Sequence, residues 1–242
     1  MTEGYAHPEI LISPEELKAL LEARTPRLRV LDVRPRLLYY LGHIPGAVRL
    51  WRPDIEEKGH FLPGMMASKS RMEKLLSRLG VNCDHTMVIY SYRYDHARLW
   101  WILAYYGFPL TKMKLLNGGI NAWRAKGYPL QFLPPFPRKG DFRLPGAPHH
   151  QEPLCCTLPE VKEALADPQK VVLDVRSRKE FFGEKKLRHA NKPGRIPGVI
   201  SVPWEEVLVP EGELQGYFKP GPELRGLFAA RGVTPDKHIY IY

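Results

Sequence analysis

Two short runs place an acid and a base two residues apart, each behind an apolar stretch. One runs Val-Leu-Asp-Val-Arg from Val30 to Arg34, the other Val-Leu-Asp-Val-Arg from Val172 to Arg176. A carboxylate and a guanidinium at that spacing can hold a turn as an ion pair or orient a neighbouring loop. Both readings stay open for Asp174 and Arg176, and the twin pair Asp32 and Arg34 argues for a shared structural duty. Downstream of the second run, Arg178, Glu180, Lys185, Lys186, Arg188, His189, Lys192 and Arg195 gather charge within a short basic stretch. That stretch is either a solvated loop or a cationic lid that concentrates an anionic substrate.

Nucleophiles are few. The chain holds three cysteines, Cys83, Cys155 and Cys156. Three thiols make no disulfide framework and favour a reducing, cytoplasmic setting. Cys155 and Cys156 suggest a redox pair or a metal site, but only His149 and His150 lie near, too few for zinc spacing. These two, and Cys83 in a turn before a strand, read as structural or incidental, and no metal or cofactor is expected. Ser91 follows an apolar run, yet no neighbouring residue offers a base to activate its hydroxyl.

The formal net charge is +10, with the basic residues spread along the chain. No block of consecutive Lys and Arg, RNA-binding aromatic motif or zinc-finger spacing accompanies it. Small anions are therefore better candidate partners than nucleic acid. No apolar run approaches the length of a membrane span, and the first residues lack the basic and apolar regions of a signal peptide.

The elements that must position these residues come in two copies. Asp32 and Asp174 match at a separation of 142, and His43-Ile-Pro-Gly matches Arg195-Ile-Pro-Gly at 152. The second copy thus carries ten extra residues between those points. After them the separation holds: Gly80-Val81 matches Gly232-Val233, and the run from Asp84 to Tyr90 matches Asp236 to Tyr242. In copy one a helix is expected from Ser13, an N-cap with Pro14 at the first position and Glu16 closing a capping box. Strands are expected at 29–33, 86–91 and 113–119, alternating with helices over 69–80, 96–107 and 120–127. In the helix over 96–107, Trp100, Trp101, Tyr105 and Tyr106 read as core. Alternation of this kind predicts an α/β fold with a parallel sheet covered on both faces. The boundaries read 1–130, a Pro-rich linker at 131–153, and a second domain at 154–242 that contains only the first part of the repeat.

The order of these motifs resembles that of rhodanese domains. The residues that carry the likeness are the Leu-Asp-Val-Arg turns, Gly42 to Ala47, the strand before Ser91, Leu115 to Trp123, and in copy two Leu173 to Glu184 and Gly194 to Val199. The opening, Gly4 to Ser13, is similar to that of tandem thiosulfate sulfurtransferases. The resemblance implies two tandem rhodanese-like domains, the first catalytically silent and the second bearing a cysteine just after the strand that ends at Tyr242. It implies sulfane-sulfur transfer from thiosulfate or 3-mercaptopyruvate to cyanide or a thiol acceptor through a cysteine persulfide. It also implies a C-terminal segment or chain that complements the second domain. Animal members of the family often carry arginine where this chain has Glu180, a departure that bears on the donor. Two other readings stand beside this one: a non-catalytic rhodanese-like binding module, and a phosphatase on the same scaffold.

Overall fold

The computed structural model describes residues 4–60, 64–145, 154–186, 190 and 192–242. They form two compact units. One holds the described residues within His7–Glu152 and Glu213–Tyr217, the other those within Met1–Ala6, Pro153–Gly212 and Phe218–Tyr242.

In the first unit, strand β1 (Leu11–Ile12) leads into helix α1 (Pro14–Glu22). The start of α1 is fixed by the expected capping box: the Ser13 hydroxyl accepts from the Glu16 N–H at 3.1 Å, and the Glu16 carboxylate accepts from the Ser13 N–H at 2.8 Å. Two orphan donors are satisfied at once. Strand β2 (Leu28–Val33), helix α2 (Arg36–Tyr40), strand β3 (Val48–Leu50), helix α3 (Lys69–Arg78) and strand β4 (Thr86–Tyr90) follow. Helix α4 (Asp95–Tyr105), strand β5 (Met113–Leu116) and helix α5 (Gly119–Ala125) complete it. The five strands are all parallel, in the order β1-β5-β4-β2-β3. Val30 to Val33 and Met87 to Tyr90 are continuously buried, as expected of central parallel strands covered on both faces. One face carries a core of Ile12, Leu17, Val30, Ile44, Val88, Tyr90, Leu116, Ile120 and Trp123.

Helix α4 corrects one expectation. Its buried residues are His96, Leu99, Ile102, Leu103 and Ala104, whereas Trp100, Trp101, Tyr105 and Tyr106 are only half-buried. Leu99, Ile102 and Leu103 share the i, i+3, i+4 stripe that meets the sheet. The large rings fall on the flanks, where Trp101 stacks on Tyr105 and the Tyr106 hydroxyl donates to the Ala67 carbonyl at 2.8 Å. The Pro-rich stretch is described over 131–145, and there it lies along the first unit. Gln131 bridges to His43, Leu144 N–H donates to the Glu73 carboxylate at 2.9 Å, and buried Phe142 packs on Phe108. His149 and His150 lie outside the described residues.

The second unit contains helix α6 (Leu158–Ala164), strand β6 (Lys170–Asp174), helix α7 (Arg178–Phe181), strand β7 (Ile200–Ser201), helix α8 (Gly221–Ala229) and strand β8 (His238–Ile241). Its sheet is parallel, in the order β7-β6-β8. The order repeats β3-β2-β4 of the first unit, so β6, β7 and β8 are the twins of β2, β3 and β4. The core is smaller: Val171, Leu173, Val202 and Val233, with Ile200, Leu227 and Phe228 against them. Among the described residues no strand pairs with the outer side of β8, and Ile241 is 62% exposed.

Candidate functional site

In open parallel sheets, ligands gather where strands end at their carboxyl side, and both Asp–Arg pairs stand there. In the second unit Asp174 closes β6 and is buried. Arg176 grips it through Nε at 3.0 and 3.2 Å and through a terminal nitrogen at 2.6 Å, while that same nitrogen donates to the Gly194 carbonyl at 3.0 Å. The planar guanidinium matches the carboxylate edge to edge. Tyr242 prolongs β8, exchanging backbone hydrogen bonds with Leu173 and Val175 at 3.0 Å each. Its hydroxyl accepts from the Ile196 N–H at 3.3 Å and is hydrogen-bonded to Asp174. The Arg176 guanidinium lies 5.1 Å above its ring. One carboxylate thus ties together the end of β6, the turn at 194–196 and the residue that follows β8.

Charge in this lock is fixed. Burial pushes Asp174 upward, but hydrogen bonds from the Arg176 side chain and backbone and from Tyr242 outweigh it and hold the carboxyl below its ordinary range. Arg176 is raised, chiefly by its bonds to Asp174. Burial, reinforced by the Asp174 charge, raises Tyr242. At neutral pH the three groups are a carboxylate, a guanidinium and a neutral phenol.

The first unit repeats the side-chain bonds of the lock. Arg34 Nε donates to Asp32 at 2.8 and 3.1 Å, and a terminal nitrogen reaches Asp32 at 2.6 Å and the Gly42 carbonyl at 2.9 Å. The Tyr90 hydroxyl donates to Asp32 at 2.5 Å and accepts from the Ile44 N–H at 3.1 Å. The difference is access: the Arg34 side chain is 1% exposed and that of Arg176 26%.

The remaining sequence-selected residues do not join the lock through hydrogen bonds. Glu180 caps α7, accepting from the Ser177 N–H at 3.3 Å and from the Ser177 hydroxyl. Arg178 pairs with Glu206 at 2.9 Å, and Arg231 holds the other oxygen of the same carboxylate at 2.5 Å. Arg195 lies over two rings, 4.5 Å from Phe181 and 5.8 Å from Phe182. Lys185, Lys186 and Lys192 are exposed, and Arg188 and His189 lie outside the described residues. Tyr242, Glu206 and Arg231 were not selected from sequence. Tyr242 could have been, because Tyr90 and Tyr242 keep the separation of 152 that also relates Ile44 to Ile196.

Past Tyr90 the first unit turns inward and closes. Ser91 is fully buried, its hydroxyl accepts from the Arg93 N–H at 3.4 Å, and its carbonyl accepts from the Ile120 N–H at 3.0 Å. Gly119, at φ +57°, approaches so closely that a Cβ there would lie 2.2 Å from the Ser91 carbonyl oxygen. Tyr217 packs on Gly118 in turn, within 2.6 Å of where a Cβ would stand. Among the described residues no base is bonded to the Ser91 hydroxyl, the partner that would activate it for attack. Among the described residues no cysteine is hydrogen-bonded to a lock residue: Cys83 accepts at sulfur from the Arg143 N–H at 3.2 Å, and Cys155 and Cys156 are exposed ahead of α6. Among the described residues no group of three or more His, Cys, Asp or Glu is placed to hold a metal, and no helix is long and apolar enough to cross a membrane.

A parallel sheet of this strand order, with an Asp–Arg–Tyr lock at its carboxyl edge and a second copy of both, defines a tandem rhodanese-like α/β protein. The profile of the Rhodanese-like domain matches residues 13–126. The sulfur carrier protein TtuD of Thermus thermophilus is 32% identical over 99% of this chain and 84% of its own length. A thiosulfate sulfurtransferase of Azotobacter vinelandii is 30% identical over 98% of this chain and 83% of its own. The crystal structure of SseA from Escherichia coli, a 3-mercaptopyruvate sulfotransferase, superposes with a TM-score of 0.80 at 25% identity, covering 96% of this chain and 87% of that one. The chain belongs to the rhodanese family of sulfurtransferases.

Proposed function

We propose that this protein moves a sulfane sulfur from thiosulfate or 3-mercaptopyruvate to cyanide or a thiol, through a persulfide on a cysteine at the position after Tyr242. The observation that carries the reading is the second lock. It fixes the end of β8 as the first lock fixes the end of β4, while its arginine stays within reach of solvent and that of the first unit does not. A thiolate at that position gains from a loop of backbone N–H groups and from the positive end of a following helix. It attacks the outer sulfur of the donor; the donor's S–S or C–S bond breaks and sulfite or pyruvate leaves. A persulfide forms, and the acceptor then removes the outer sulfur, regenerating the thiolate. Arg176, Arg178, Lys185 and Arg195 supply positive potential toward the anionic donor, and Asp174 holds Arg176 in place.

The test begins with the residues that follow Tyr242 in the intact polypeptide, then assays sulfur transfer with each donor and looks for a persulfide by mass spectrometry. A cysteine that gains one sulfur from thiosulfate or 3-mercaptopyruvate supports the reading. A loop without a thiol leaves the alternative, a rhodanese-like binding module.

A further inference from the structure

Cys155 and Cys156 are adjacent and both exposed, on the irregular stretch that enters α6 at Thr157. Because the two residues are consecutive, their sulfurs hang from neighbouring Cα atoms about 3.8 Å apart; burial first, and then Cys155 and Glu160, push the Cys156 thiol upward. Cys83 differs: its sulfur is tied to the backbone of 141–143, accepting from Arg143 N–H and facing the Asp141 carbonyl at 3.5 Å.

Three uses of a thiol pair can be weighed. A disulfide between neighbours is disfavoured, because consecutive Cα atoms stand about 3.8 Å apart and disulfides want at least about 4.4 Å. A nucleophilic role requires an activated thiolate, and Cys156 is shifted the other way. Capture of a thiophilic element has neither handicap. Binding itself displaces the thiol protons, and two soft sulfurs on one short segment act as a chelate.

We propose that Cys155 and Cys156 form a vicinal dithiol site for trivalent arsenicals, separate from the sulfur-transfer site. With phenylarsine oxide, two As–S bonds form, the As–O double bond breaks, and its oxygen leaves as water with the two thiol protons. No oxidant or reductant is consumed. The second sulfur binds intramolecularly, so it raises retention by roughly 10² or more over a single thiol.

The experiment treats the 242-residue chain with one equivalent of phenylarsine oxide, then with excess monothiol, and reads intact mass. The expected result is one phenylarsenic group that survives the monothiol and leaves with a dithiol such as dimercaptopropanol. Cys155→Ser and Cys156→Ser each lose the resistant adduct, and Cys83→Ser keeps it. Both residues are exposed, so folding of the variants is checked simply by circular dichroism. Stripping by monothiol from the wild type, survival of the adduct in either single variant, or its loss in Cys83→Ser overturns the proposal. None of these outcomes bears on sulfur transfer, which is read with thiosulfate.

Discussion

Strands β4 and β8 are twins with opposite surroundings. Ile89 on β4 is 0% exposed between two neighbouring strands, whereas its counterpart Ile241 on β8 is 62% exposed and, among the described residues, β8 pairs only with β6. Yet both strands end in the same lock, with nearly the same hydrogen-bond lengths. The lock is therefore a local device. It needs one strand pair, one returning turn and one tyrosine, and it forms whether or not the sheet extends further. What differs is what lies beyond it: the first unit seals its post-strand turn around Ser91, and the second leaves the guanidinium of Arg176 half open.

The largest contrast lies in paired substitutions on those strands. Ile89→Lys buries an unpaired charge and is expected to cost on the order of 4 kcal/mol or more, unfolding the first unit. Ile241→Lys should stay within about 0.5 kcal/mol in the 242-residue chain. Denaturant titration of both variants decides, and a large loss for Ile241→Lys would mean that β8 is covered in solution. Next come the locks. Asp32→Ala strands a buried guanidinium and should cost about 3–5 kcal/mol. Asp174→Ala should cost less, because water reaches Arg176; equal losses would contradict the difference in access.

Acid sharpens the comparison from another side. Burial depresses His96, inside α4 of the first unit, from 6.5 to about 4. The unfolded chain takes up that proton below 6.5 and the folded unit only near 4, so acidification across that window weakens the first unit. The loss approaches about 3 kcal/mol. His96→Gln should flatten the dependence in urea titrations at stepped pH. Smaller still, Tyr90→Phe and Tyr242→Phe each remove hydrogen bonds to one carboxylate, worth about 1–3 kcal/mol, with the greater loss at fully buried Tyr90. Arg195→Ala forfeits a cation–π contact at an exposed site, about 0.5–1 kcal/mol, measurable as a small shift in the second unit's melting.

Much of this was legible in the residues. The repeat, the β2 and β6 strands and the Ser13 cap rest on local patterns, and the structure keeps them within a residue or two. The locks were half legible. Asp and Arg two apart announce a pair, but a tyrosine donating from 58 positions away is a tertiary fact. The same holds for the exchange at the twin positions Tyr39–His43 and Phe181–Arg195. In the first unit the two rings stack at 3.8 Å, and in the second a guanidinium lies over a phenyl. Periodicity named the aromatics of α4 but not their side, since a stripe is chosen by what packs against it. Proline content reads 131–153 as a linker and gives no sign of Phe142, which is buried against Phe108, far upstream in the chain.

The lock also sets an order in time. Asp32, Gly42 and Tyr90 have all left the ribosome long before the second repeat is made, so the first lock can shut while synthesis continues. Asp174 and Gly194 must wait for Tyr242. During vectorial synthesis, β6 therefore emerges with a buried-type carboxylate still lacking its phenol partner, as β2 does until Tyr90 follows.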